Sequence, residues 1–321
     1  MRSFVCRIAG LVLLASVAPA LAQTYPNRPI TIVVGYPPGA SSDLLARTVG
    51  EPLAAVLGQP VLIDNRAGAG GNVAAAYVAR APGDGYTLMV GTDAMMTSNI
   101  YLYKNAAFDP AKDFAPITNA GANIICLAVN NELPVKSVAE LIAYARANPG
   151  KLSFGSSGSA SPHHLSGELL RQMASIDILH VPYKGGGAAA NDLLGGHIGI
   201  AFLSLSSAVP LLTTGKIRIL AVVEKSRYAA MPDIPTIAET VPGFEMSSWL
   251  GFFAPAVTPD PLIARLHDEI VRILKTDTVK DKLASLGFAV TATTPGELAA
   301  AVKTGLEVRG QLMKSAGIQP E

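Results

Sequence analysis

The stretch that decides the fold class is residues 30–47, ITIVVGYPPGASSDLLAR. Its apolar, β-branched start predicts a strand, its Pro and Gly residues predict a turn, and Ser41 and Ser42 open a predicted helix. The first N–H groups of a helix have no partner within the helix, and the helix dipole adds partial positive charge there. The segment therefore predicts either a site for a negatively charged group or an ordinary turn capped by Ser or Asp.

Outward from this stretch, strand-like and helix-like segments alternate along nearly the whole chain. Most strand-like segments are continuous apolar runs, which is the pattern of strands covered on both faces. The alternation predicts an α/β architecture with mostly parallel sheets and flanking helices. For a chain of 321 residues, two domains are favoured over one large sheet.

A Ser/Gly-rich segment at residues 153–161, SFGSSGSAS, is the counterpart of the first stretch. A short predicted strand enters a loop of small residues, and Ser161 and Pro162 then start a helix. His163 and His164 follow in its first turn. A ligand contact and a capping turn with surface histidines both remain open. Two such loops facing each other would form a cleft.

Two further glycine-rich loops precede predicted helices. Residues 65–72, NRAGAGGN, superficially resemble a dinucleotide fingerprint, but Val73 occupies the third glycine position and no acidic ribose partner follows. Arg66 in this loop could bind a carboxylate through its two parallel N–H groups, but a structural ion pair is favoured. Residues 180–188, HVPYKGGGA, end a strand and open a helix, and Lys184 there either faces an anion or is solvated.

The N-terminus has the three parts of a secretory signal peptide. Arg2 and Arg7 form a basic start, and residues 8–17 form an apolar stretch too short to span a bilayer. Residues 20–22, ALA, are a cleavage motif. We therefore expect residues 1–22 to be a signal peptide, cleaved near Ala22, and the mature protein to be exported to the periplasm.

The composition of the mature chain narrows the classes of function. Loss of Arg2 and Arg7 reduces 25 basic residues to 23 against 24 acidic ones, a net charge of about −1. A near-neutral chain without a basic stripe argues against a nucleic-acid partner. Cys126 is left as a single cysteine in an apolar run, which favours a buried small hydrophobe over a reactive thiol.

The sequence offers no convincing machinery for catalysis. It has no G-x-S-x-G elbow, no evident acid/base pair, no metal-ligand cluster and no phosphate loop. Binding without turnover, with no metal and no cofactor, is the simplest interpretation. We therefore expect that the protein is not an enzyme.

A series of motifs occurs in order from Tyr25 to the second half of the chain. The motifs are YPNRPI at 25–30, PGASSD at 38–43, LGQPV at 57–61, NRAGAGGN at 65–72, DGYTL at 84–88, FDP at 108–110, KDF at 112–114, HLSGE at 164–168, HVPYKG at 180–185, LLGG at 193–196, PDIPT at 232–236 and PGFE at 242–245. In them the chain resembles the Bug, or TctC-like, receptors, which are periplasmic solute-binding proteins associated with tripartite tricarboxylate transporters.

This resemblance implies a two-domain α/β clamp of the periplasmic-binding-protein type (type II-like). The implied domains are residues 23–122 together with about 247–321, and about 123–246, with a ligand cleft between them. The implied function is capture of a small organic carboxylate by domain closure and its delivery, by a monomer, to the permease subunits of a tripartite tricarboxylate-type transporter. Two alternatives stay open: a ligand-loaded partner of a membrane sensor kinase, and a hydrolase using Ser161 with His163 or His164.

The resemblance also implies the ligand site. In the family, the first strand-to-helix turn holds a carboxylate and the loop after Gly91 forms another wall. The residues expected at the site are Tyr36, Pro37, Gly39, Ala40, Ser41, Ser42, Thr92 and Asp93 in the first domain and Ser156, Ser157, Ser161, His163 and Leu203 in the second.

The chain departs from the family pattern at several positions. Ala40 replaces a common glycine and stiffens the first turn. Leu203 and Ser204 follow Phe202 where the family often has Asp-Asn, so the resemblance speaks against a ligand with an amino group and for an apolar wall at Leu203. Pro52 is expected to kink the first helix.

Overall fold

The computed structural model describes residues 25–104 and 106–315, and the predicted signal peptide lies outside these ranges. Two mixed sheets with flanking helices form two α/β domains, so the predicted fold class is confirmed. Within the described ranges, no helix is both long and apolar enough to cross a membrane.

The strands are short, and most are fully or largely buried. In chain order they are β1 (Ile30–Val34), β2 (Val61–Asn65), β3 (Thr87–Thr92), β4 (Phe114–Asn123), β5 (Ile125–Asn130), β6 (Leu152–Ser156), β7 (Ile178–Pro182), β8 (Ile200–Ser204), β9 (Ile217–Val222), β10 (Trp249–Pro255) and β11 (Phe288–Val290).

The helices lie between the strands along most of the chain. They are α1 (Ser41–Leu57), α2 (Asn72–Val78), α3 (Asp93–Thr97), α4 (Asn99–Leu102), α5 (Val138–Ala147), α6 (Pro162–Ala174), α7 (Gly186–Leu194), α8 (Leu205–Leu212), α9 (Asp260–Leu274), α10 (Asp277–Ser285) and α11 (Pro295–Ser315), with short 3₁₀ turns at Ala69–Gly71 and Ile237–Glu239. The helix α1 continues through Pro52.

The first domain contains the sheet β11-β4-β10-β3-β1-β2, and the second contains the sheet β7-β6-β8-β5-β9. The expectation of mostly parallel sheets is corrected, because both are mixed. Among the strands of the described ranges, β1 pairs in parallel with β2 and β3, and β6 with β7 and β8. The strands β4, β5, β10 and β11 pair antiparallel with their neighbours. Since β4 leads out of the first domain and β10 returns to it, neither needs the helical crossover that joins parallel neighbours.

Apolar residues cover both faces of each sheet. In β1, Ile30, Ile32 and Val34 pack with α1 and α9, while Val33 packs on the other face with α2 and α11. This burial on both faces explains why the strand is a continuous apolar run. In β5, Cys126 is fully buried, and burial raises the pKa of its thiol, which agrees with the predicted role of a small core residue.

Candidate functional site

Two adjoining cavities lie between the domains, an inner cavity of about 40 Å³ and an outer cavity of about 670 Å³. The walls of the inner cavity include Tyr36, Ala40, Ser41, Thr92, Asp93 and Ala94 from the first domain, Ser157, Pro162, His163, Gly186, Ser204 and Ser207 from the second, and Asn123, Ser248 and Leu250 where the chain passes between them. The outer cavity extends between residues 35–37, the glycine-rich loop at 67–71, and the loops at 157–159 and 182–184.

The turn before α1 is held by its own hydrogen bonds. Gly39 has the positive φ (83°) that the turn requires, and its N–H donates to Asp43 Oδ2 at 2.9 Å. The Ala40 N–H donates to the Pro37 carbonyl at 3.2 Å. Burial favours the neutral form of Asp43, but bonds from Arg47, Gly39 and Asn65 outweigh it and hold the pKa of that carboxyl below its usual range. The carboxylate of Asp43 thus fixes the turn.

The unpaired donors of this turn belong to α1 itself. Ala40 is the N-cap and makes no side-chain capping bond, and the first amide bonded within the helix is that of Leu44, to Ala40 at 3.0 Å. The N–H groups of Ser41, Ser42 and Asp43 are therefore the helix-terminal donors that need an outside partner. Ala40 and Ser41 line the inner cavity, so this positive helix end faces the space between the domains.

Asp93 forms the acidic part of the same cavity. Thr92 caps α3 by accepting from the Met95 N–H at 3.1 Å, and this places Asp93 in the first turn of α3. The Asp93 side chain accepts from Ser248 Oγ at 3.0 Å, and its nearest cation is Arg309 at 3.6 Å. Burial raises the pKa of Asp93 to about 6.

The opposite wall is a chain of neutral hydrogen bonds centred on His163. The Nδ1 atom of His163 lies 2.6 Å from Ser157 Oγ, and its Nε2 atom lies 3.2 Å from Ser204 Oγ. Asn123 Nδ2 donates to Ser204 Oγ at 2.9 Å. Burial lowers the pKa of His163 to about 4, so the ring is neutral at ordinary pH.

This chain constrains the two serine hydroxyls. A neutral imidazole carries one N–H, so it donates to one serine and accepts from the other. When His163 donates to Ser157, the Ser157 hydroxyl hydrogen is free to point at an acceptor in the cavity. In that tautomer His163 positions a donor without carrying charge.

The structure brings most of the predicted site residues together. Those that line one or both cavities are Tyr36, Pro37, Ala40, Ser41, Thr92, Asp93, Ser157, Ser161 and His163. Ser161 also caps α6, accepting from the His164 N–H at 3.2 Å and donating to the Gly158 carbonyl at 2.7 Å.

Four predicted residues do not line the cavities. The Gly39 N–H donates to the Asp43 carboxylate, and Ser42 is buried behind the turn. Ser156 is fully buried and bonds to the Gly158 N–H and to His180 Nε2. Leu203 is also fully buried, because it points into the apolar cluster between its sheet and the helices α7 and α8.

The inner cavity also has four polar lining residues that the expected set lacks: Asn123, Ser204, Ser207 and Ser248. Ser204 is the neighbour of Leu203 in β8, and side chains alternate between the faces of a strand. Asn123 lies at the end of β4, and no sequence motif marks it as a site residue. Arg66 pairs with Asp64 at 2.7 Å, which confirms its predicted structural role.

The serine and histidine side chains are not arranged as a hydrolase site. Ser161 bonds to backbone groups, and the group that orients His163 is the neutral Ser204 hydroxyl. A base with a pKa near 4 is poorly matched to proton abstraction at neutral pH. Across the described ranges, no group of three or more His, Cys, Asp or Glu residues could hold a metal ion.

The two sheets and the polar space between them define a two-domain solute-binding protein. The family model "Tripartite tricarboxylate transporter family receptor" (TctC) matches residues 45–318, and the chain belongs to this family. The family is one of receptors, and the protein is a receptor rather than an enzyme.

Individual relatives agree with this assignment. A UPF0065 protein encoded in the tcbD-tcbE intergenic region of Pseudomonas sp. (strain P51) is 34% identical over 305 residues, which cover 94% of this chain and 90% of the relative. The structure of R. palustris Rpa4515 with adipate has a TM-score of 0.89 and 38% identity, covering 92% of this chain and 100% of the other. MatC (Rpa3494) from Rhodopseudomonas palustris with bound malate has a TM-score of 0.81 and 32% identity, covering 89% of this chain and 98% of the other. The periplasmic binding protein BugD is a further solved relative, with a TM-score of 0.86 and 31% identity, covering 92% of this chain and 100% of the other.

Proposed function

We propose that the protein is a periplasmic receptor that captures a small organic carboxylate between its two domains and delivers it to the permease subunits of a tripartite tricarboxylate-type transporter. The observation that carries this proposal is the open N-terminus of α1, whose amide donors face the inner cavity. The proposed ligand-contacting residues are the nine predicted residues that line the cavities, joined by Asn123, Ser204, Ser207 and Ser248.

The donors of both domains suit a carboxylate. An ionised carboxylate accepts hydrogen bonds at both oxygens, and burying it without them would be prohibitive. The amides at the start of α1 come from the first domain, while the Ser157 hydroxyl comes from the second. A carboxylate bound by both would keep its hydrogen bonds only while the domains are closed.

The dimensions of the site support a small metabolite. The outer cavity, about 670 Å³, lies within the usual range of small-molecule sites, roughly 300–1,000 Å³. Adipate and malate in the related structures are ligands of this class.

Closure would link binding to recognition by the transporter. The two domains approach closely at the mouth of the cleft, where a Cβ atom built on Gly185 would lie 3.7 Å from Pro37 Cδ. A ligand that contacts both domains stabilises this closed arrangement over an open one and so shifts the population. A single mature chain with its signal peptide removed would carry out this cycle in the periplasm.

A thermal-shift panel of organic acids tests the proposal. The mature protein, unfolded and refolded to remove any retained ligand, is mixed with aliphatic, hydroxylated, amino and aromatic carboxylic acids, and with uncharged amides of the same acids. At 100 times its dissociation constant, a ligand specific to the native state stabilises by about 2.7 kcal/mol, which is easily seen as a higher Tm. A refolded protein whose Tm responds to none of the acids, or equally to the amides, contradicts the proposal.

A further inference from the structure

The inner cavity presents hydrogen-bond acceptors as well as donors. The carboxylate of Asp93 and the amide of Asn123 both line it, and each residue is only 3% exposed. Among the described residues, Asn123 Oδ1 has no hydrogen-bond partner. A carboxylate group alone would not satisfy the Asn123 oxygen, because it has no hydrogen to donate, and it would bring a second negative charge next to Asp93, which already accepts from Ser248.

Asp93 also sets the charge of this cavity. Arg309, at 3.6 Å, is too far for a hydrogen bond, and burial still raises the pKa of Asp93 to about 6. Of the described residues that line the two cavities, Lys184 in the outer cavity is the single Lys or Arg. A second ligand carboxylate beside Asp93 would therefore meet a like charge at a partly desolvated position.

We propose that the ligand carries, besides its carboxylate, a hydrogen-bond donor that sits in the inner cavity between Asp93 and Asn123. This inference rests on the proposed function and specifies its substrate class: an amino- or hydroxy-carboxylate rather than a plain dicarboxylate. The chain has Leu203 after Phe202, where the family often has Asp, but this no longer speaks against an amino group on the ligand. Asp93, from the first domain, supplies a carboxylate that an ammonium group can contact.

Isothermal titration calorimetry with matched probes tests this class. The pairs are L-glutamate with glutarate, L-malate with succinate, and 4-aminobutyrate with succinate. One hydrogen bond to a charged group is equivalent to a factor of roughly 10–100 in affinity. We expect the donor-bearing member of a binding pair to bind at least tenfold more tightly.

The variant Asp93→Asn removes the negative charge and keeps an oxygen that can accept from Ser248. We expect it to reduce the preference for ammonium-bearing probes to less than threefold and to strengthen binding of glutarate and succinate. Asp268→Asn is the matched control, because Asp268 is exposed in the middle of α9 and lines neither cavity. It should leave both affinities unchanged.

The pH dependence gives a second readout. The groups that face Asp93 are Arg309 on α11, Tyr36 after β1, and His163 across the cavity. Between pH 8 and 5.5 Tyr36 stays neutral, because its pKa is raised to about 12, and His163 stays neutral, because its pKa is lowered to about 4, so protonation of Asp93 dominates. Binding of glutarate to the wild type should strengthen as the pH falls through about 6. The affinity of the Asp93→Asn variant for glutarate should change less over the same range. Protonation of glutarate itself affects both proteins equally, so the difference between them reports Asp93.

The outcomes separate this inference from the proposed function. Binding of glutarate or succinate as tight as that of the donor-bearing partner, with no effect of Asp93→Asn, overturns the inference and leaves a carboxylate receptor. A refolded wild-type protein that binds no carboxylate in either this series or the thermal-shift panel overturns the proposed function itself.

Discussion

His163 is the buried group whose protonation should cost the most stability within the cleft. Its pKa is lowered from 6.5 to about 4 by burial, so the unfolded chain binds the proton more readily between these values. The free energy of unfolding should therefore fall as the pH drops from 6.5 to 4, by about 3 kcal/mol from this residue at 1.36 kcal/mol per pKa unit. Denaturant unfolding of the wild type and of His163→Gln at a series of pH values measures this fall in the free energy of unfolding.

The comparison of the wild type with His163→Gln isolates the contribution of His163 to the pH dependence of stability. His164 and His180, whose pKa values are also lowered, and Asp93 and Glu224, whose pKa values are raised, remain in both. Their contributions cancel, and the stability advantage of the wild type should narrow toward low pH. A constant difference between the wild type and His163→Gln from pH 7.5 to 4 would rule out a neutral buried imidazole.

At the scale of single residues, sequence identifies side chains of the right chemistry but not the direction in which they point. Leu203 and Ser204 are neighbours in β8, and the strand pleat sends Ser204 to the cavity and Leu203 into the core. Gly39 lies in the expected turn, yet Asp43, four residues later, takes its N–H. Asn123 lines the inner cavity because β4 leaves its sheet at this residue, and no local sequence pattern predicts that position.

At the scale of elements, the start of α1 should bind the ligand through its backbone. The variant Ser41→Pro removes the first helical N–H together with the hydroxyl, whereas Ser41→Ala removes the hydroxyl alone. Proline suits the first helical position, and Ala40 already has the extended conformation (φ −68°, ψ 158°) required before proline. We expect Ser41→Pro to bind the carboxylate roughly 10–100-fold more weakly than Ser41→Ala, as measured by calorimetry.

The melting temperature without ligand is the control for this pair. Both variants should melt close to each other, because neither removes a bond made within the described structure. Equal ligand affinities of Ser41→Pro and Ser41→Ala would show that the Ser41 amide makes no contact with the ligand.

The elements that sequence predicts well are those whose ends carry local signals. The helix α6 begins at Pro162 after the Ser161 cap, where the sequence places it. The strand β4 is different, because residues 114–123, FAPITNAGAN, contain Pro, Gly and Asn and have low strand propensity. Pairing with β10 and β11 holds β4 in place, so its formation depends on residues more than 120 positions away.

At the scale of the whole molecule, the connection between the domains and the inner cavity share residues. The chain passes between the sheets at residues 123–125 and again before β10, and the two passages are joined by the Asn123 N–H donating to the Ser248 carbonyl at 3.0 Å. Asn123 and Ser248 also line the inner cavity. The length of the chain favours two domains, but this overlap depends on the three-dimensional path of the chain.

Because the ligand would contact the connection and both walls, binding should change the overall shape of the protein. Small-angle X-ray scattering of the ligand-free, refolded protein should give a larger radius of gyration than the ligand-saturated protein. A shift from mostly open to mostly closed needs a ligand that binds the closed state roughly 10⁴-fold more tightly, which requires contacts to both domains.

The Ser41→Pro variant is the control for this experiment. At a ligand concentration that saturates the wild type but not the variant, the variant should contract less, and raising the concentration to saturation should restore the contraction. Identical scattering of the wild type with and without a bound carboxylate would mean that the domains do not move, and that capture occurs in a cleft that is already closed.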